Sequence, residues 1–193
     1  MTSRLHPNGL QSACSLGPDI TTLGKWKGGG LTIAAFGGRK QLMELYDATT
    51  KHALTHSGTF NNNTLVMAAG CAALSKVYTT QACSLLNELG DCLRGTIVSL
   101  SRGTEMTVTG LGAVMTIHFT VNGLPPTCAS DLERHSIPGL KKLFWFWCVA
   151  KGILIAKRGI IAISLGMNKP QLDGFTAIIQ EVLDCYRKVL QIG

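Results

Sequence analysis

Two lysines stand beside three glycines near the start of the chain. Residues 19–39 read DITTLGKWKGGGLTIAAFGGR, so that Lys25 and Lys27 precede the glycines at 28–30. A glycine triplet costs backbone entropy, and it is typical of a tight turn or of a close approach between chain segments. A lysine held in such a pre-shaped site can attack a carbonyl cofactor and form a Schiff base. An ordinary solvated loop lysine is the other interpretation that these residues leave open.

A phosphate-binding glycine loop is a third interpretation, and the known loop motifs do not support it. The pattern G-x-x-x-x-G-K-[ST] is absent, and no G-x-G-x-x-G follows a strand.

The seven cysteines are dispersed and form no C-x-x-C pair, so we expect no metal site. They are typical of buried free thiols in a reducing compartment, and we therefore expect a cytoplasmic protein.

The composition indicates a folded protein whose ligands are small. Of the 193 residues, 46% are hydrophobic and 15% are charged, which predicts a sizeable core. The net charge of +7 is spread over scattered pairs of cations, so we expect no nucleic-acid partner and favour small anions. The most apolar stretch, 143–167, is interrupted by Lys151, Lys157 and Arg158, and we therefore expect no membrane partner.

The apolar patterns predict a helical first part and a mixed second part, with the boundary near Arg102. In the first part we expect a turn-rich segment at 1–20, a buried strand at 31–36, a short helix at 39–46, a loop at 48–63, a helix from Thr64, and a helix capped by Thr79 or Thr80 that runs to about residue 100.

The second part, after residue 102, is predicted to be a compact α+β unit. We expect strands at 107–109 and 114–120, a helix at 130–151 ended by Gly152, a hairpin of 153–156 with 160–165, and a last helix opened by Pro170. The run Trp145, Phe146 and Trp147 is interpreted as core, because aromatic residues at this spacing pack more often than they bind. His56 and His118 are assigned no catalytic role.

The lysine segment and a second block resemble one known family. The stretch LGPDITTLGKWKGGGLTIAAFGGRKQLMELY resembles the active-site lysine segment of class-III pyridoxal-phosphate aminotransferases, with glutamate-1-semialdehyde aminomutase as the closest branch. The matching lysine is Lys25, while Lys27 and Ala34 depart from the family pattern. The block HSGTFNNNTLVMAAG is similar to the family's H-x-G-T motif, with Thr64 where a proline is usual.

The resemblance implies a fold, a cofactor and a set of site residues. The fold would be α/β, the fold type I of pyridoxal-phosphate-dependent transferases, with the C-terminal part of the large domain at 1–102 and the small α+β domain at 103–193. Lys25 would be the catalytic lysine and would carry pyridoxal 5′-phosphate as a Schiff base. Gly58 and Thr59 would offer a backbone N–H and a hydroxyl to the cofactor phosphate of the partner subunit of a homodimer, at the entrance to the Thr64 helix.

The function implied is that of an aminotransferase or aminomutase acting on a small amino acid or amino-aldehyde. Members of the family are longer at the N-terminus, so the resemblance also implies that this chain lacks the aspartate that pairs with the pyridine nitrogen. The alternative is therefore a truncated, inactive remnant, or a docking partner of a full-length homologue.

Overall fold

The computed structural model describes residues 2–190 of a chain that divides into two compact units, Met1–Cys83 and Ser84–Gly193. This division follows the density of contacts within each unit. The domain boundary expected near residue 102 concerns the family's domains, and it stays a prediction.

The first unit is built on a two-stranded antiparallel hairpin. Strand β1 (Ile20–Gly24) pairs with strand β2 (Ala34–Gly38) from Ile20 opposite Gly38 to Gly24 opposite Ala34. The other elements are α1 (Thr2–Leu5), α2 (Leu10–Ala13), α3 (Lys40–Met43), α4 (Thr64–Ala72), 3₁₀ turns at Lys25–Gly28 and Glu44–Tyr46, and a π-helix at Ala73–Val77.

An ion pair and a backbone hydrogen bond join the two strands at the end of the hairpin away from the turn. Arg39 Nε lies 2.8 Å from Asp19 Oδ1, and the Arg39 N–H donates to the Asp19 carbonyl at 3.0 Å. At the other end the two strands are connected through the lysine turn, which we define as residues 25–30. The sequence predicted a buried strand at 31–36; the strand begins at Ala34, because the Leu31 N–H still bonds the Gly28 carbonyl and extends the turn. The expected burial was wrong, since four of the five residues of β2 are exposed. Strand β1 was not predicted.

The second unit contains a three-stranded antiparallel sheet covered by helices. Its elements are α5 (Thr80–Leu100, which begins before the division), β3 (Met106–Leu111), β4 (Val114–Phe119), α6 (Ala129–His135), α7 (Pro138–Ala150), β5 (Ile160–Ala162), α8 (Lys169–Cys185) and α9 (Arg187–Leu190). The sheet order is β3-β4-β5.

Helix α5 packs closely on the turn between β3 and β4. A Cβ on Gly90 would overlap the backbone of Gly112, so glycine is needed for this approach. The Asn87 and Asp91 side chains accept hydrogen bonds from the Ala113 and Gly112 N–H groups, each at 2.9 Å. The turn is thereby fixed to the helix by both close packing and hydrogen bonds.

The structure corrects two expectations for the second unit. The hairpin of 153–156 with 160–165 was wrong, because the backbone of the first segment is used elsewhere: the Ile153 N–H bonds the Cys148 carbonyl at 2.8 Å, and the Trp145 indole N–H bonds the Ile155 carbonyl at 3.0 Å. Strand β5 pairs with β4 instead. Phe146 was expected in the core, but its side chain is 52% exposed.

Other predictions for this half of the chain are confirmed or refined. The predicted helix at 130–151 is two helices, because Ile137 bonds the Phe119 carbonyl and Pro138 starts a new helix. Gly152 ends α7 with a φ of 81°, as expected. The cysteines are free thiols, but their expected burial was wrong for most of them, because only Cys83 and Cys148 are buried and the other five are exposed. No helix within residues 2–190 has the length and apolar character needed to cross a bilayer.

His118 is a buried histidine in strand β4. Its Nε2 lies 2.8 Å from Thr109 Oγ1, while its Nδ1 has no hydrogen-bond partner among the described residues. Burial, with a smaller contribution from the charge of Lys141, lowers the pKa of His118 from 6.5 to about 4. The imidazole is therefore neutral in the folded protein at neutral pH.

We predict that this histidine makes the protein less stable in acid. Between pH 6.5 and 4 the unfolded chain takes up a proton that folded His118 does not, so the free energy of unfolding decreases as the pH falls, by about 3 kcal/mol at most. Urea unfolding at pH 7 and pH 4.5 measures this loss. In His118→Gln the free energy of unfolding should depend much less on pH. His52→Gln, at an exposed loop position, should behave as the wild type. An unchanged pH dependence in His118→Gln contradicts the assignment.

Candidate active site

Lys25 lies directly after strand β1, at the first position of the lysine turn. Gly24, the last residue of β1, is opposite Ala34, so the hairpin fixes where the turn begins. The backbone φ of Lys25 is 61°, in the left-handed region that side chains other than glycine rarely adopt. Residues kept in such a conformation cost free energy and cluster at functional sites. The backbone of this lysine is therefore held by its surroundings.

Lys25 lines a pocket of about 510 Å³. The other lining residues are Trp26, Gly30, Leu31, Thr32 and Ile33. This volume is in the range of small-molecule sites. The Lys25 side chain is exposed, and its ammonium makes no hydrogen bond or ion pair with any residue in the described part of the chain. The amine is thus available to a ligand in the pocket.

The glycines of the lysine turn allow it to lie against helix α4. A Cβ on Gly29 would collide with the Ala69 carbonyl, and a Cβ on Gly70 would lie 2.9 Å from the Lys27 carbonyl oxygen. Gly28 is buried, and a Cβ there would come within 3.1 Å of the Ile33 side chain. The triplet is therefore explained by close approach, together with the left-handed φ angles of Gly29 and Gly30, 62° and 94°.

Trp26 gives the turn a second contact. Its ring lies 4.4 Å from the ring of Tyr78, centroid to centroid. The Tyr78 hydroxyl donates to the Arg4 carbonyl and lies 3.4 Å from Cys83 Sγ. Burial is the main cause that raises the pKa of Tyr78, so its hydroxyl keeps its proton at neutral pH. Neither Trp26 nor Tyr78 was identified from the sequence, because nothing in its spacing joins two residues 52 positions apart.

Lys27 differs from Lys25 in its surroundings. It is half-buried, and burial lowers the pKa of its amine. It does not line the pocket beside Lys25. The two lysines of the opening motif are therefore not equivalent in the structure.

Gly58 and Thr59 lie in an exposed loop before α4, which we call the GT loop (residues 56–63). The Gly58 carbonyl accepts from the Asn61 N–H at 3.0 Å, whereas the N–H groups of Gly58 and Thr59 and the Thr59 hydroxyl bond no described residue. The His56 ring, 5.2 Å from the Phe36 ring on β2, holds the start of the loop. Three free donors therefore lie on two adjacent residues.

The start of helix α4 is already capped. Asn63 Oδ1 accepts from the Leu65 and Val66 N–H groups at 3.1 and 3.2 Å. The family resemblance implied a phosphate at the entrance to this helix, but the Asn63 side chain already bonds two of the first-turn N–H groups. The free donors are those of the GT loop itself. No hydrogen bond, ion pair or ring contact between described residues joins Lys25 to Gly58 or Thr59. Their assigned roles stay predictions.

Comparison with known proteins identifies relatives over nearly the whole chain. The family model for class-III aminotransferases matches residues 10–183. An uncharacterized aminotransferase of Schizosaccharomyces pombe is 45% identical, and the β-phenylalanine transaminase of Variovorax paradoxus is 39% identical. Each alignment covers 93% of this chain and 41% of the relative. A glutamate-1-semialdehyde 2,1-aminomutase of Methanosarcina acetivorans is 36% identical over 60% of this chain and 27% of its own length.

The solved structures agree on the fold. The β-phenylalanine aminotransferase of V. paradoxus has a TM-score of 0.92 at 37% identity over 100% of this chain and 44% of its own. A transaminase described with PLP bound has a TM-score of 0.78 at 26% identity, covering 95% of this chain and 42% of its own. This chain thus spans about two fifths of the length of these relatives.

The site is compatible with the cofactor of these proteins. A free lysine amine at the edge of a pocket of small-molecule size is what a carbonyl cofactor requires. The fold is that of part of a fold type I pyridoxal-phosphate-dependent transferase. With the match over residues 10–183, the chain belongs to the class-III aminotransferases, whose cofactor is pyridoxal 5′-phosphate.

Proposed function

We propose that this chain holds pyridoxal 5′-phosphate on Lys25 and serves as an aminotransferase or aminomutase for a small amino acid or amino-aldehyde. One observation carries the proposal: a lysine amine without a protein partner lines a pocket of about 510 Å³, on a backbone held in the left-handed region. A solvated surface lysine would need neither the pocket nor the strained backbone.

Each residue of the site has a distinct part in this proposal. When bound, the cofactor supplies an aldehyde carbon for amines and a ring that accepts electrons from the substrate. Lys25 holds that carbon through Nζ and, once released by a substrate amine, takes and returns a proton as a general base. Trp26 and Thr32 form part of the pocket wall. Gly58 and Thr59 donate hydrogen bonds to a phosphate.

Relatives guide the choice of substrate and location. The similarity to a β-phenylalanine transaminase supports a β-amino acid as the first substrate to test, and the aminomutases support an amino-aldehyde. Seven free thiols without a disulfide support a cytoplasmic location. The proposed assembly is a homodimer, because the GT loop is expected to serve the cofactor of a neighbouring chain.

A second candidate function is supported by the surface of the first unit, which exposes large apolar side chains, including Phe60 (84%), Leu65 (74%) and Val77 (60%). No carboxylate lines the pocket beside Lys25. The chain would then bind the cofactor but need a full-length homologue, as docking partner, for turnover.

We predict that Lys25 is the preferred site of cofactor attachment. Borohydride reduction of the protein with pyridoxal 5′-phosphate should give an adduct that peptide mass spectrometry maps to Lys25. The variant Lys25→Ala should lose it, whereas the matched control Lys27→Ala should keep it, because Lys27 lies outside the pocket. Labelling spread evenly over the lysines contradicts the proposal.

We predict that the phosphate donors act between two copies of the chain. A variant with Gly58→Ala and Thr59→Val keeps Lys25 but loses the hydroxyl, and Lys25→Ala keeps the GT loop. Each variant alone should give little cofactor adduct at position 25. Mixing the two variants should restore the adduct on Lys25 of the Gly58→Ala, Thr59→Val variant. Labelling that the mixture does not raise contradicts a shared site, and sedimentation of the wild type should show the dimer.

Under the docking-partner candidate we predict negligible half-transamination by the chain alone, whereas the first proposal predicts conversion. A protonated ring nitrogen needs a carboxylate partner, which the pocket walls do not supply, and its loss costs on the order of a thousandfold in rate. Absorbance spectra with β-phenylalanine should show no conversion to the pyridoxamine form, with the V. paradoxus enzyme as positive control. Addition of a full-length homologue with its own lysine replaced should restore conversion. Conversion by the unaided chain refutes the docking-partner candidate.

A further inference from the structure

The geometry points to Gly70 and Tyr78 as positioning residues for Lys25. We propose that the helix formed by α4 and the π segment holds the lysine turn at two places eight residues apart, and so fixes the direction of the Lys25 side chain. This inference rests on the proposed function of Lys25. Neither residue lines the pocket, so each acts through the turn.

The first place is a contact between backbones. Gly70 is buried, and its Cα lies close enough to the Lys27 carbonyl oxygen that an added Cβ would be 2.9 Å from it. One residue earlier, the Ala69 carbonyl excludes any side chain at Gly29. Backbone atoms cannot rotate away as a flexible side chain can, so a methyl group at Gly70 must displace the turn.

The second place is a contact between rings. Trp26 is the residue after Lys25, and its ring packs on Tyr78 with 4.4 Å between centroids and 57° between planes. The Tyr78 hydroxyl bonds the Arg4 carbonyl, so the tyrosine ring cannot turn freely. Because Trp26 also lines the pocket, this contact fixes both a pocket wall and the residue adjacent to Lys25.

The π segment brings the two places onto one face of the helix. Eight residues of α-helix turn through about 800°, which would leave positions 70 and 78 about 80° apart around the axis. The Tyr78 N–H bonds the Ala73 carbonyl at 2.7 Å, five residues back. A π-helical turn contains more residues than an α-helical turn, so each residue rotates the chain less about the helix axis. The smaller rotation brings Tyr78 back towards the helix face that carries Gly70. The π-helix at Ala73–Val77 thus has a structural purpose.

The same helix begins at the GT loop, where Asn63 caps it. One rigid element therefore connects the proposed phosphate donors at its start with the contacts of the lysine turn along its length. A change in the turn contacts is expected to alter cofactor attachment without altering any group that touches the cofactor.

The test compares Gly70→Ala with Gly95→Ala. Gly95 is also a helical glycine, in α5, but a Cβ there meets nothing within 4 Å. Hydrogen exchange of a peptide covering residues 24–33, without cofactor, reports the turn directly. We expect Gly70→Ala to speed this exchange about tenfold and to lower the Lys25 adduct, relative to exposed Lys51, by a similar factor, with no change in Gly95→Ala.

Tyrosine variants test the ring contact and cover the case in which Gly70→Ala does not fold. Tyr78→Leu, and deletion of exposed Ser75 to convert the π segment to α-helix, should both speed exchange at 24–33. Tyr78→Phe keeps the ring contact but loses the bond to the Arg4 carbonyl, so its exchange should lie between those of Tyr78→Leu and the wild type. The inference is overturned if exchange at 24–33 is unchanged in these variants, or rises equally throughout residues 2–83. Wild-type protein that fails to label at Lys25 refutes the proposed function instead, because the exchange measurement needs no cofactor.

Discussion

The close backbone contact between the lysine turn and helix α4 is the constraint on which the site depends. It requires glycine at positions 29 and 70, because a Cβ at either would meet backbone atoms that cannot easily move. It also explains why the two sequence blocks that carry the family resemblance occur together. One block supplies the lysine turn, and the other supplies the helix on which the turn lies.

The polar groups of the chain fall into two classes. In the second unit, Asn87 and Asp91 use their side chains to bind the turn between β3 and β4, and buried His118 stays neutral. In the first unit, the Lys25 amine and the donors of the GT loop bond no described residue. Exposed donors that bond no described residue are available to a charged ligand, and they support the proposed cofactor site in the first unit.

Local sequence signals predicted most of the helices but less of the site. Pro170 marks the start of α8, and Gly152 marks the end of α7, because caps and breakers act within a few residues. Sequence could not reveal that Tyr78 packs on Trp26, since that contact depends on a π-helix whose widened turn has no simple residue pattern. The exposure of Phe146 was likewise missed, because the apolar run of α7 does not say which of its faces is covered.

The most direct measurement is a crystal structure of the chain grown with pyridoxal 5′-phosphate. The central claim is that Lys25, held on α4, carries the cofactor in the pocket formed with Trp26 and Thr32. We predict electron density continuous with Lys25 Nζ inside this pocket, with the turn still lying on Gly70. Continuous density on Lys27 instead, or cofactor density that avoids the pocket, would contradict it.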